Sequence, residues 1–149
     1  MPQTPPSPLD LKYRFTGYHK FLDPEGYPAI APPWGTLSAI NLHTGEYAWK
    51  IPFGEYPELA AQGMKNTGSE NYGGPIVTAG GLLFIGASCF DKKFRAFDKK
   101  TGAVRWWAQT PGQVKDTYYS CPAIADIAGQ RVLVSGGADG GVHAFKVRT

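Results

Sequence analysis

The stretch NYGGPIVTAGGLLFIGASCFDKKFRAFDKKTGAVRW, residues 71–106, decides the fold. It holds four short runs suited to β-strands, residues 75–79, 82–87, 93–98 and 103–108, separated by Gly-Gly, Asp-Lys and Thr-Gly turns. Strands this short, punctuated this closely by Gly and Asp, predict an antiparallel meander in which each strand pairs with the next. Four strands joined in this way make one blade of a β-propeller.

The flanking sequence repeats the unit. Residues 39–49, AINLHTGEYAW, lie over residues 96–106, AFDKKTGAVRW, and match Ala, Thr, Gly and Trp at an offset of 57, from Ala39 to Ala96. Residues 141–147, GVHAFKV, start the unit again, with Ala144 lying 48 residues beyond Ala96. A second register agrees, because Gly74-Pro75 before LLFIG recurs as Cys121-Pro122 before RVLVS, with Pro75 and Pro122 separated by 47. A period of about 40–50 residues is the mark of a propeller, and the longer first interval implies an insertion after Trp49. The small Ala39 and Ala96 suit places where neighbouring blades approach closely. Trp49 and Trp106 are large enough to fill the wedge between blades while their N–H groups find backbone carbonyls. Asn41 or Asp98 followed by Thr-Gly makes a polar tight turn whose Gly tolerates positive φ.

The fold class is therefore all-β, a partial β-propeller arc of four-stranded antiparallel blades. With 149 residues, 19 Gly, 13 Pro and only 18% charged side chains, the chain has the length of one turn-rich domain. Residues 1–10 read as an extended Pro-rich tail with neither a basic leader nor an apolar run. Residues 11–52 read as a partial blade: a strand over 11–16, an irregular Pro-rich excursion pinned to the sheet by its aromatics, then strands over 35–41 and 46–52. Residues 53–73 form the inserted loop, with a helical turn starting near Pro57. Residues 74–109 are the complete blade and residues 110–149 an incomplete one. Three, four and three strands make an open arc, and its uncovered faces and edges predict self-association.

Few residues point to chemistry. The net charge of +3 is spread over several strands and turns, which describes a solvated surface and not a nucleic-acid face. Cys89 and Cys121 lack further sulfur ligands, leaving buried thiols, a disulfide and a reactive or metal role open. His19, His43 and His143 fit no metal spacing. The Gly-rich segments lack a strand–loop–helix context and read as hairpin turns. The polar loop 66–74, NTGSENYGG, enters the first strand of the complete blade and is the best local site candidate. Asp91 lies in the turn between that blade's second and third strands, opposite Asp139 in the repeat. It suits a turn carboxylate accepting backbone N–H bonds or an acid that orients a ligand.

The irregular segment FLDPEGYP, residues 21–28, together with TGSENYGGPIVTAGGLLFIGAS and KFRAFDKKTGAVRWWAQTP, resembles the C-terminal part of the pyrroloquinoline-quinone-dependent, membrane-bound glucose (aldose) dehydrogenases. That resemblance implies a quinone, PQQ, held with a calcium or magnesium ion near a propeller axis. It also implies oxidation of an aldose C1 hydroxyl to the lactone and electron transfer to a quinone acceptor on the periplasmic side of the inner membrane. It places Asn71, Tyr72 and Gly73 at the edge of the quinone pocket and Asp91 close to it. The resemblance further implies that the catalytic base, the cation ligands and the aromatic floor under the quinone lie in other blades. The isolated chain is accordingly expected to supply no catalytic residue or metal ligand and to be inactive. The alternative is a non-catalytic propeller-repeat scaffold.

Overall fold

A computed structural model describes residues 13, 15–86, 88–109, 121–136 and 141–147. The expectations for residues 1–10 and for Asp139 lie outside them, as do residues 110–120 of the incomplete blade. The chain divides into two compact units, Met1–Ile30 and Ala31–Thr149.

In the first unit the expected strand over 11–16 is not formed at its described residues, Tyr13, Phe15 and Thr16, which run as irregular, exposed chain. Alternation of apolar and polar side chains permits a strand but supplies no partner for it. The unit's ordered element is a tight loop in which Asp23 Oδ1 accepts the Tyr27 N–H at 2.8 Å and Leu22 bridges Pro28.

The second unit contains three antiparallel sheets in a partial propeller-like arrangement. The first pairs β1 (Thr36–Ile40) with β2 (Tyr47–Pro52), and a short helix, α1 (Pro57–Ala61), follows with Pro57 in its first turn. The second sheet runs β3 (Ile76–Val77), β4 (Leu82–Ile85), β5 (Lys93–Asp98) and β6 (Val104–Gln109), each strand paired with its sequence neighbour. The third runs β7 (Ala123–Ile127), β8 (Gln130–Gly136) and β9 (Val142–Lys146). The four-stranded blade is as expected, while the first sheet has two described strands where the sequence predicts three.

The repeat holds at atomic detail. Ala39 pairs with Trp49 and Ala96 with Trp106, and both hairpins shift register one residue later, at Ala39/Ile40 and Ala96/Phe97. In the turns, Gly45 N–H donates to Asn41 O at 2.7 Å and Gly102 N–H to Asp98 O at 2.9 Å. The carboxamide of Asn41 and the carboxylate of Asp98 each accept an N–H two residues on, from His43 and Lys100, both at 2.9 Å. Gly45 and Gly102 have φ of 75° and 72°, the left-handed region this turn demands. The Arg105 guanidinium, followed by the Lys100 and Thr101 N–H groups, lowers the Asp98 carboxyl to a pKa of about 2.

Two apolar layers lie on the two faces of the central sheet. Leu83, Ile85 and Phe97 pack with Leu37, Trp49 and Phe53 on one side, while Phe84, Phe94 and Ala96 pack with Leu133 on the other. The period-two alternation along β4 and β5 produces this division. Full burial of a phenylalanine such as Phe94 contributes about 1.5–3 kcal/mol. Trp49 joins the first and second sheets, because its indole N–H donates to Lys99 O at 3.0 Å and its ring lies against Gly102. Trp106 is less covered and meets Phe145 of the third sheet edge-on at 5.7 Å.

The β7–β8 hairpin turns on Ala128 and Gly129, both at positive φ, 49° and 72°. A two-residue loop of this kind favours Asn-Gly, and alanine in the left-handed region costs about 1 kcal/mol. Ala128→Asn should therefore raise stability by about 0.5–1 kcal/mol in a urea unfolding titration.

Candidate functional site

The Thr-Gly turns occupy one end of the sheets, and the inserted loop covers the other. There the chain entering β1, the chain leaving β2 and the segment before β3 are laced by backbone bonds. Phe53 N–H donates to Gly35 O at 2.9 Å, Ser69 N–H to Phe53 O at 2.9 Å and Trp34 N–H to Thr67 O at 2.7 Å. Thr67, Gly68 and Ser69 are buried although the sequence reads as a polar loop, because their polar groups are paired with these neighbours. Trp34 packs edge-on to the buried Tyr56 at 5.4 Å, and Tyr56 in turn lies 4.2 Å from the Phe90 ring.

This lacing leaves a cleft of about 360 Å³ whose lining includes Trp34, Thr36, Ser69, Glu70, Asn71 and Gly73. Of the predicted site residues, Asn71 and Gly73 line it. Tyr72 between them is 54% exposed and turns its hydroxyl to the Glu70 carboxylate.

Asp91 is 3% exposed and stands behind the lining rather than in it. Its Oδ1 accepts the Ser88 N–H at 3.3 Å and the Lys93 N–H at 3.1 Å, the bonds expected of a turn carboxylate. Its Oδ2 is paired with Arg95 Nη2 at 2.5 Å, a partner the sequence reading did not assign. Ser88 Oγ both accepts the Asp91 N–H at 3.3 Å and meets Ser69 Oγ at 2.7 Å, so a buried polar chain links Asp91 to the cleft lining. Glu55 and Lys93 form an ion pair at the same end of the sheet.

Both cysteines are free thiols, Cys89 half-buried and Cys121 exposed, so the disulfide left open by the sequence is not formed. The Cys121 sulfur nevertheless lies close over Gly74, where an added Cβ would come within 2.6 Å of it. His43 sits in the β1–β2 turn and His143 in β9, the positions expected of them. Among the described residues no group of three or more His, Cys, Asp or Glu side chains is placed to hold a metal ion.

Repeated antiparallel blades joined by tryptophan, with a loop-walled cleft at one end, define a propeller-type β domain. The sequence pattern described as the glucose/ethanol/alcohol dehydrogenase β-propeller domain, PQQ type, matches residues 4–121, and the chain belongs to that PQQ-dependent quinoprotein dehydrogenase family. It is 41% identical over 98 residues to the probable quinate dehydrogenase (quinone) of Xanthomonas campestris pv. juglandis, covering 62% of this chain and 12% of that protein. It is 35% identical over 127 residues to the quinoprotein glucose dehydrogenase of Escherichia coli K12, covering 80% of this chain and 15% of that protein. The chain thus spans well under a fifth of the length of these curated relatives. Among solved structures it is similar to a quinohemoprotein alcohol dehydrogenase of Pseudomonas putida HK5, with TM-score 0.50 and 21% identity over 67% of this chain and 12% of that one. It is also similar to BamB of Moraxella catarrhalis, with TM-score 0.52 and 19% identity over 76% of this chain and 32% of that one. Both likenesses concern the fold.

The family depends on the quinone PQQ. PQQ is a planar tricarboxylate, and binding it requires cations or several N–H donors around its carboxylates. Thr36 and Asn71 line the cleft together with the acidic Glu70, the Ser69 hydroxyl is turned to Ser88, and the lining includes neither Lys nor Arg. These residues alone do not fit the cofactor.

Proposed function

We propose that this chain supplies one edge of the quinone site of a dehydrogenase that oxidises the C1 hydroxyl of glucose or a related aldose to the lactone. Electrons pass through PQQ, held with a calcium or magnesium ion, to a quinone acceptor on the periplasmic side of the membrane. The observation that carries this reading is the cleft in which Asn71 and Gly73 stand beside Trp34, within a chain of the quinoprotein family. The relatives include quinate, glucose and glycerol dehydrogenases, which supports a polyhydroxylated alcohol as the substrate class, and the aldose is the choice made within that class. In this reading Asn71, Tyr72 and Gly73 touch the cofactor edge and Asp91 supports them from behind. The base and cation ligands come from elsewhere, so the isolated chain has no turnover and associates with itself through exposed blade faces and edges.

The test is a titration of the isotopically labelled chain with PQQ and calcium, followed by amide chemical shifts, solution mass by light scattering and glucose-dependent dye reduction. Shifts centred on 69–73, a mass above the monomer and no dye reduction are expected. Shifts centred elsewhere would overturn the cofactor edge, and a monomer at high concentration would overturn the association. A rise in mass with no quinone contact would transfer the reading to a non-catalytic propeller scaffold.

A further inference from the structure

The lip of the cleft is tied to chain outside its own loop. Glu70 and Asn71 follow Ser69, whose side chain is fully buried and meets Ser88 Oγ at 2.7 Å. One residue further along each strand of chain, the Cys89 N–H donates to Glu70 O at 2.7 Å, so the lip rests on the turn between β4 and β5 at two adjacent points. That turn is fixed by Asp91, which takes the Ser88 N–H and returns its own N–H to Ser88 Oγ. Asp91 is fixed by Arg95, whose second terminal nitrogen donates to Lys93 O at 3.0 Å while the guanidinium lies 5.4 Å from the centre of the Phe53 ring. Gly54 closes the packing: a Cβ there would stand 2.3 Å from Ser69 Oγ and 2.7 Å from Ser88 Cβ.

We propose that Arg95 is a positioning residue that acts through Asp91, Ser88 and Ser69 to set the place of the Glu70–Asn71 lip. The proposal rests on the quinone-edge reading for its purpose, but the relay itself rests on the hydrogen bonds. Every member is buried or nearly so, and in such surroundings a chain of satisfied polar groups has one low-energy arrangement instead of many. The sequence between the ends gives the relay its direction: Arg95 lies on β5, a strand paired on both sides, whereas the lip is irregular chain. A rigid strand thereby imposes its position on a loop that has no ladder of its own.

The test is amide hydrogen exchange by NMR on the intact chain, with two independent ways of cutting the relay. Ser88→Ala removes the Oγ link and leaves the Arg95–Asp91 pair intact. The double replacement Arg95→Met with Asp91→Asn removes both charges together, avoiding a buried unpaired carboxylate. Each should speed exchange of the Cys89 and Ser69 N–H groups by roughly tenfold or more, with the β1–β2 ladder unchanged, since local opening needs less free energy than global unfolding. Combining the two cuts should add little to either, and Arg95→Lys should restore part of the protection. Acceleration spread evenly over all three sheets would mean a role in general stability and would overturn the proposal, as would unchanged exchange at Cys89 and Ser69. PQQ binding is followed separately by its absorbance: selective loosening of the lip in a chain that holds no quinone sustains the relay and removes the quinone reading.

Discussion

Trp49→Ala should lower the unfolding free energy of the chain by about 3–5 kcal/mol, a large part of the about 5–15 kcal/mol that holds a domain together. The indole is 9% exposed and sits between Leu37 of its own sheet and Leu83, Ile85 and Phe97 of the next. Its removal leaves a void bounded by two rigid sheets and the Gly102 turn, where collapse is limited. The Lys99 carbonyl loses its indole donor as well. Trp49→Phe separates these effects, since it retains most of the ring and loses the hydrogen bond, worth about 1 kcal/mol. Trp106→Ala is the matched comparison within the same chain. Trp106 holds the equivalent place in the repeat yet is 40% exposed, so its loss should cost less than half as much. Urea unfolding of the three variants checks the order, and equal costs at Trp49 and Trp106 would contradict the account of the interblade wedge.

The two tryptophans also show where the sequence could be read and where it could not. The hairpins at 36–52 and 93–109 were legible because their information is local. Ala, Asn or Asp, Thr-Gly and Trp recur at one spacing, and the same turn bonds and the same register shift result. Nothing local tells Trp49 from Trp106, whose difference lies in what the neighbouring sheet brings against each ring. The strand expected over 11–16 is not formed at Tyr13, Phe15 and Thr16 for a related reason: alternation fixes which side chains share a face, but a strand exists only when another pairs with it. At the site, loop 66–74 was legible as polar, Gly-rich chain at the entrance to a blade. The burial of Thr67 and Ser69 was not, because polarity suggests solvent unless the partners are known. Ser69 and Ser88 are 19 residues apart and neither belongs to a recognisable motif. Arg95 could have been suspected, since a charged residue alternating with Phe94, Ala96 and Phe97 in a central strand needs a buried counter-charge, and Asp91 lies four residues before it.

Gly68→Ala should be nearly as damaging as the loss of Trp49, for reasons that involve no lost contact. Gly68 has φ of 68°, and a Cβ placed on it would stand 2.4 Å from both the N and the O of Gly35. The crossing is tight from the other side too, because a Cβ on Gly35 would meet Ser69 O at 2.2 Å. The atoms that would have to yield are backbone, and that backbone carries the bonds from Trp34 to Thr67 and from Phe53 to Gly35. Left-handed strain of about 1–2 kcal/mol and overpacking of about 1–3 kcal/mol therefore act together, giving a loss of about 3 kcal/mol or separation of the two segments. Gly81→Ala isolates the first contribution: Gly81 has φ of 93° but no atom within 4 Å of an added Cβ, so only the backbone strain should appear. If the segments separate in Gly68→Ala, the cleft opens between Trp34 and Asn71 while the β5–β6 hairpin stays protected, and amide exchange would report both. Equal destabilisation by Gly68→Ala and Gly81→Ala would mean that the crossing yields easily, and a cleft walled by that crossing would then lack the rigidity needed to hold a planar ligand by its edge.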